Sequence, residues 1–277
     1  MDRMCENCGS DISHRHRLAK FCSDSCRDAP KFRGTYCVSC GKKLIVAATH
    51  KRTIRHCSRR CAHKTIYKKC NPHFDEQYFA APELENSYWA GFIAADGCIV
   101  TPSVGQKQLQ ISLNYLDAAH LESLKDAIGA GMVRQYNYGD SLRAARLTIV
   151  SDLLCETLEK NFKITPRKSL TLNPPDLSGN LAYSFIAGYI DGDGCYTRSG
   201  NRPTITIRGT FALLAWIADV YGLDKTPRLE SGVHTISFNG DDAINIRNSF
   251  NNLGLPLLLR KRNRWEEMGL NLKKRKL

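Results

Sequence analysis

The chain of 277 residues has no apolar run long enough to cross a membrane, and its first five residues lack the apolar core of a signal peptide. From these two absences we expect a cytoplasmic protein that neither spans a membrane nor is secreted. Hydrophobic residues make up 42% of the chain, which is enough to bury a core and argues against wholesale disorder. The length predicts two or three compact units.

Acidic residues are scarce relative to basic ones, with 27 Asp and Glu against 40 Lys and Arg. The basic excess lies at the two ends of the chain. Residues 1–70 carry 17 basic and 5 acidic residues, a net charge of +12, and residues 260–277 carry 8 and 2, a net charge of +6. The 189 residues between them have a net charge of −5. This distribution favours a polyanion as the partner, although solvated basic faces and tails are also common.

The twelve cysteines indicate metal binding or burial, because disulfides are rare in a reducing compartment. Eight of them form two copies of one pattern, a Cys-x2-Cys pair followed by a Cys-x3-Cys pair. The two copies are Cys5, Cys8, Cys22 and Cys26, then Cys37, Cys40, Cys57 and Cys61. A Cys-x2-Cys pair presents two thiolates from one tight turn, as tetrahedral zinc requires. We therefore predict two structural Zn²⁺ ions, in small fingers similar to treble clefs or zinc ribbons, rather than disulfides or inert thiols.

The spacing of these zinc fingers is specific for the metal and says little about their role. One role is structural, because a bound metal ion holds together a segment that is too small to fold alone. The net charge of +12 favours contact with DNA. The basic residues that we expect to make this contact are Arg15, Arg17, Lys51, Arg52, Arg55, Arg59 and Arg60. The remaining cysteines, interpreted as core or boundary residues, are Cys70, Cys98, Cys155 and Cys195.

One apolar pattern rich in small residues occurs twice in the chain, as YWAGFIAADG and as FIAGYIDGDG. Gly91 and Ala95 are four residues apart, as are Gly188 and Gly192, so each pair forms a flat stripe on one face of a helix. Such stripes predict that the two helices pack against each other with their backbones unusually close.

Each copy of the pattern places an aspartate, Asp96 or Asp193, in the last turn of its helix. The helix dipole disfavours negative charge at this end, and a single aspartate there has little meaning. Two aspartates at the same place in a repeat indicate that a cation offsets the penalty. Helices packed side by side would bring the carboxylates together, where metal ions can activate water against a phosphodiester.

Both copies resemble the LAGLIDADG motif of homing endonucleases, and the similarity extends over residues 85–265. At the sixth position of the motif, where an acid is usual, the first copy has Ala94 and the second keeps Asp191. The functional acid of the family occupies the eighth position, which here is Asp96 and Asp193. The resemblance implies that these two residues hold Mg²⁺ or Mn²⁺.

The resemblance also implies an α+β fold of two tandem αββαββα units in a pseudo-twofold arrangement. Sequence patterns predict later strands at residues 132–138, 143–150 and 233–238, and helices at residues 118–128, 153–162, 211–221 and 241–253. The expected organisation is zinc fingers over 1–70, a linker over 71–85, a first unit over 86–172, a linker over 173–182, and a second unit with a basic tail over 183–277.

Polar and apolar residues alternate in the segment after each motif, which predicts half-buried strands with one polar face. Uncharged polar side chains on such a face suit readout of base edges, and arginine suits guanine or phosphate. An ordinary solvent-facing strand shows the same alternation. The residues that we predict to contact DNA are Gln108, Gln110, Ser112, Asn114, Arg146, Thr204, Thr206 and Arg208.

Two lysines occupy the places where the family has a basic residue near the cleavage centre. Lys168 is the one in the first half, and Lys261 is chosen from a run of three basic residues in the second. A lysine there would stabilise charge on the phosphate or polarise the attacking water. A solvated surface lysine is the competing interpretation for each.

The sequence thus predicts a monomeric endonuclease that makes a double-strand break in a long, asymmetric, double-stranded DNA target, with no membrane and no obligate protein partner. Two alternatives on the same fold are an RNA maturase that helps an intron to splice and a DNA-binding regulator that does not cut. Retention of both aspartates argues against the regulator and does not bear on the maturase.

Overall fold

The structure is a computed structural model that describes residues 3–47, 54–103, 105–138, 142–200 and 202–273. The chain divides into two compact units, Met1–Cys70 and Asn71–Leu277. Within the described ranges, no helix combines the length and the hydrophobicity that crossing a membrane requires.

The described residues of the smaller unit form one hairpin and two helices. Its elements are α1 (Asp24–Asp28), β1 (Pro30–Tyr36), β2 (Lys43–Ala47) and α2 (Arg59–Cys70), and the two strands pair antiparallel. The side chain of Ser23 accepts a hydrogen bond from the N–H of Cys26 at the start of α1. Ser58 accepts one from the N–H of Cys61 in the same way at the start of α2. Each Cys-x3-Cys pair therefore lies where a helix begins.

The larger unit repeats one order of elements twice. The first half consists of α3 (Leu84–Asp96), β3 (Gly97–Val100), β4 (Gln108–Asn114), α4 (Ala118–Ile128), β5 (Met132–Tyr138), β6 (Leu142–Val150) and α5 (Asp152–Phe162). The second half consists of α6 (Gly179–Asp193), β7 (Gly194–Ser199), β8 (Arg202–Gly209), α7 (Phe211–Val220), β9 (Arg228–Glu230), β10 (Val233–Asn239) and α8 (Asp241–Asn248), followed by α9 (Leu259–Lys273). The predicted α+β fold with two tandem αββαββα units is confirmed.

Each half has a four-stranded antiparallel sheet, with the strand order β3-β4-β6-β5 in the first and β7-β8-β10-β9 in the second. The two sheets also share a register, since Gly97 lies opposite Ile111 in one and Gly194 lies opposite Ile207 in the other. Apolar residues of both sheets and their helices form one buried core. Each motif helix therefore leads directly into the edge strand of its own sheet.

Helices α3 and α6 pack against each other inside this core. A Cβ atom added to Gly91 would lie 1.9 Å from the carbonyl oxygen of Phe185, and one added to Gly188 would lie 1.9 Å from the carbonyl oxygen of Tyr88. No side chain fits at such distances, so the two backbones are in contact at these glycines. The close approach predicted from the small-residue stripes is confirmed.

The segment before α3, predicted as a linker, packs against the first half. Phe79 is fully buried, and the side-chain amide of Asn161 donates to its carbonyl oxygen at 2.8 Å. The N–H of Asp75 donates to the carbonyl oxygen of Ile128 at 3.0 Å. These contacts attach the start of the larger unit to α4 and α5.

Three elements differ from the sequence prediction. Helix α8 ends at Asn248, although the pattern predicted a helix as far as residue 253. Strand β9 has only three residues, all exposed, which is too short for an alternating pattern. Helix α9 occupies a stretch interpreted as a basic tail. It is held by the buried side chain of Met268 and by Trp265, whose ring centroid lies 5.4 Å from that of Tyr196.

Gly188→Ala should destabilise the protein, because the new methyl group would overlap the carbonyl group of Tyr88. Overpacking typically costs about 1–3 kcal/mol, and the loss of stability here should be at least that large. The control is Gly269→Ala in α9, where an added Cβ meets no atom within 4 Å and alanine is the better helix former by about 1 kcal/mol. Denaturant titrations of both variants measure the free energy of unfolding. Wild-type stability in Gly188→Ala would contradict the contact between the backbones.

Candidate active site

Asp96 and Asp193 are the last residues of α3 and α6. The distances at Gly192, in the last turn of α6, show how close the two helix ends lie. A Cβ atom added to Gly192 would lie 2.2 Å from the side chain of Ala95 and 3.3 Å from the carboxylate of Asp96. The structure therefore brings the two carboxylates to one end of the helix pair.

The two carboxylates are harder to ionise than ordinary aspartates. Burial raises the pKa of Asp96 to about 6, and the negative charge of Asp193 adds to this shift, while Lys261 opposes it. Asp193 is partly open to solvent, yet the surrounding protein desolvates its carboxylate and raises its pKa, an effect that Lys168 opposes. Two carboxylates at one place offer the oxygen ligands that a divalent cation prefers.

Lys168 begins the short 3₁₀ turn Lys168–Leu170 between the two halves. Its Nζ atom donates to the carbonyl oxygen of Gly97, the residue after Asp96, at 2.7 Å. The side chain also lines a cavity of about 330 Å³ together with Asp193. Burial lowers the pKa of Lys168, and the negative charge of Asp193 opposes this shift. Lys168 is only 6% exposed, so it lies within the site rather than on the open surface.

Lys261 lies in the first turn of α9 and is 8% exposed. Its Nζ atom donates to the carbonyl oxygens of Ile190 at 2.8 Å, Gly192 at 2.8 Å and Gly194 at 2.7 Å. Burial lowers its pKa, and nearby carboxylates oppose the shift. The ammonium group thus bonds three carbonyl groups at the end of α6, and one of them, that of Ile190, also accepts from the N–H of Gly194.

Asp191 is a residue to which the motif comparison assigned no role. Its buried carboxylate accepts hydrogen bonds from the hydroxyl of Tyr88 at 2.8 Å and from the N–H of Leu258 at 2.7 Å. The first bond joins the two motif helices, and the second holds the residue that precedes α9. The corresponding residue of the first half, Ala94, has no side-chain acceptor. The acid retained at the sixth motif position was the sequence signal for this network.

The residues predicted to contact DNA lie on β4, β6 and β8. Arg146 donates from Nε to the hydroxyl of Ser112 at 2.9 Å, and its guanidinium lies over the ring of Tyr136. Thr204 differs from the expectation, because it is buried and its hydroxyl donates to the side-chain oxygen of Asn239 at 2.9 Å. The predicted residues that are at least partly exposed are Gln108, Gln110, Ser112, Asn114, Arg146, Thr206 and Arg208.

Strand pairing adds polar residues that the sequence pattern did not predict. Ser237 lies opposite Thr206, and their hydroxyl oxygens are 3.0 Å apart. Cys98 and Cys195 were interpreted as core or boundary residues, but both are exposed. They lie opposite Gln110 and Thr206 respectively, so the register of the strands determines their exposure.

Eight of the nine cysteines of the smaller unit form two separate groups of four. Within each group the Sγ atoms all lie within 4.8 Å of one another, and the Cys8–Cys22 and Cys40–Cys57 distances are 3.5 Å. A tetrahedral zinc ion with bonds of about 2.3 Å places its sulfur ligands roughly 3.8 Å apart. Each group therefore has the donor atoms and the spacing that one such metal ion needs.

The basic residues predicted to contact DNA from the smaller unit are only partly described. Arg15, Arg17, Arg55, Arg59 and Arg60 are exposed. Lys51 and Arg52 lie outside the described residues. The described arginines are therefore accessible to a partner.

No protein-family model and no curated protein sequence matches the chain. Solved structures do match it. The LAGLIDADG meganuclease I-AabMI bound to uncleaved DNA is 15% identical with a TM-score of 0.51, and the match covers 69% of this chain and 91% of that one. The LAGLIDADG meganuclease I-CpaMI bound to uncleaved DNA is 14% identical with a TM-score of 0.49, and the match covers 69% of this chain and 91% of that one. The LAGLIDADG homing endonuclease I-LtrWI bound to target DNA is 13% identical with a TM-score of 0.47, and the match covers 73% of this chain and 92% of that one. The similarity to I-AabMI shows that this chain has the LAGLIDADG fold.

Proposed function

We propose that this chain is a single-chain homing endonuclease that makes a double-strand break in a long, asymmetric DNA target. The observation that carries the proposal is the meeting of Asp96 and Asp193 at one end of two helices in backbone contact. Two equivalent carboxylates, one from each half, suit the cutting of two DNA strands. A solved structure with this fold is a meganuclease bound to DNA, which supports the assignment.

Asp96 and Asp193 are the residues that would hold a divalent metal, Mg²⁺ or Mn²⁺. Carboxylate oxygens are the ligands that these ions prefer, and a cation would offset the repulsion from Asp193 that adds to the effect of burial on the pKa of Asp96. When bound, such an ion supplies an activated water and neutralises charge on the leaving oxygen. Lys168 and Lys261 both lie at this end of the helices, and an ammonium group with free N–H donors there would stabilise the negatively charged phosphate.

The polar faces of the two sheets are the proposed DNA-binding surface. Gln110 and Arg146 in the first sheet, and Thr206, Arg208 and Ser237 in the second, offer groups that suit base edges and phosphates. One chain carries both halves, so we propose that the protein acts as a monomer. The two sheets differ in these residues, so the two half-sites should differ in sequence.

Asp96→Asn and Asp193→Asn should each abolish double-strand cutting and change DNA affinity by less than about tenfold, or about 1.4 kcal/mol. The carboxylates serve the chemistry, and removal of a negative charge does not weaken binding to a polyanion. The target is obtained by incubating wild-type protein and magnesium with a randomised duplex library and sequencing the cut ends. Cutting and binding are then measured on that target.

The matched control is Asp219→Asn, which changes an exposed aspartate of α7 and should cut at the wild-type rate. If Asp96→Asn or Asp193→Asn cut both strands as fast as wild type, the assignment of the active site would be wrong. If the wild-type protein bound DNA and cut none of it, the protein would be a regulator on the same fold.

We propose that each four-cysteine group holds one structural Zn²⁺. Elemental analysis of purified, untagged protein should find two zinc ions per chain, one for each group. Cys57→Ser should lose one of them, because three thiolates hold zinc less well than four. Cys70→Ser, which changes an exposed cysteine outside both groups, should keep two. A metal-free protein whose residues 1–70 remain folded would exclude this proposal.

We propose that the smaller unit adds sequence-independent contacts to DNA, since residues 1–70 have a net charge of +12. The triple variant Arg15→Gln, Arg17→Gln, Arg55→Gln should bind the target more weakly. Its plot of log affinity against log salt should be flatter by about 0.9 for each phosphate that the arginines no longer neutralise. Lys160→Gln, in α5, is the control for removal of a basic residue elsewhere. Equal slopes and affinities for the triple variant and wild type would leave the smaller unit a structural or partner-binding role.

A further inference from the structure

The two lysines of the candidate active site differ in what their ammonium groups bind. Lys261 uses all three of its N–H donors, because it bonds three carbonyl oxygens at the end of α6 at 2.7–2.8 Å. Among the hydrogen bonds between described residues, Lys168 bonds one carbonyl oxygen, that of Gly97. Two N–H donors of Lys168 therefore remain for a group that enters the site.

The two lysines also face different cavities. Lys168 lines the cavity of about 330 Å³ to which Asp193 contributes. Lys261 lines a separate cavity of about 460 Å³, and the described residues around it include neither Asp96 nor Asp193. A phosphate that lies against Asp193 would therefore meet the ammonium group of Lys168.

The chain around Lys261 is anchored at two further points. Asp191 accepts a hydrogen bond from the N–H of Leu258 at 2.7 Å, and the guanidinium of Arg260 bonds the buried carboxylate of Asp117 at 3.0 Å. Movement of Lys261 towards a substrate would strain these contacts and break its three hydrogen bonds to carbonyl oxygens, which is unfavourable.

We propose that the two lysines act differently: Lys168 donates to the phosphate attacked beside Asp193, whereas Lys261 is a positioning residue that holds the last turn of α6. The inference rests on the nuclease function proposed above. One strand is then cut at a centre that has an available ammonium group, and the other at a centre that lacks one. The two strands should therefore be cut at unequal rates, and nicked DNA should accumulate before linear DNA.

The experiment measures the cutting of each strand separately. Each duplex carries the selected target and a different label on each strand, and the strand that is not being measured already contains a nick. Wild-type protein should cut one strand faster. Lys168→Met should slow that strand by about 10²-fold, leave the slower strand nearly unchanged and keep the wild-type melting temperature. Lys160→Met, which changes an exposed lysine of α5, is the control and should cut both strands as wild type does.

Lys261→Met should lower the melting temperature and slow both strands together, because the end of α6 that carries Asp193 loses its support. The measurements on the wild-type protein and on Lys168→Met test the inference even if Lys261→Met fails to fold. Equal strand rates in wild type, or equal slowing of both strands by Lys168→Met, would overturn the inference and leave the nuclease function standing. A wild-type protein that cuts neither strand would overturn the nuclease function itself.

Discussion

The contact between the backbones of α3 and α6 is the constraint on which the rest of the structure depends. Gly91 and Gly188 each occupy a place where a single methyl group would overlap the carbonyl oxygen of the facing helix. Helices held this close bring their C-terminal ends together, so Asp96 and Asp193 meet there. Each sheet begins at the residue after one of these aspartates, so both polar strand faces extend from the same point. Two repeated halves thereby contribute to a single site.

The repeat is asymmetric where the chemistry is proposed to occur. Asp191 joins the two motif helices through Tyr88 and holds the start of α9 through Leu258, whereas Ala94 at the matching place can do neither. Lys261 consequently has a fixed position and a full set of carbonyl partners. A single chain can specialise its two halves in this way, which a dimer of identical chains cannot do.

Features that depend on local patterns could be predicted from the sequence, and features that depend on distant partners could not. The spacing of small residues predicted the helix contact, and the sequence pattern of residues 132–138 predicted β5 over the residues that it occupies. The partners of Lys261 are backbone carbonyl groups, which every residue has, so no residue type marks them. The burial of Thr204 depends on Asn239, which is 35 residues away and joins it only when β8 pairs with β10. Helix α9 could not be predicted, because its many basic residues are typical of a solvated tail and few of its side chains are buried.

Sequencing both ends of the linear DNA made by the wild-type protein tests most directly whether Asp96 and Asp193 form one centre for two strands. Because the two carboxylates share one end of the helix pair, the cuts should lie a few base pairs apart across one groove and leave short overhangs of constant length. Cuts a helical turn apart, about 10 base pairs, would contradict a single centre, as would overhangs of variable length.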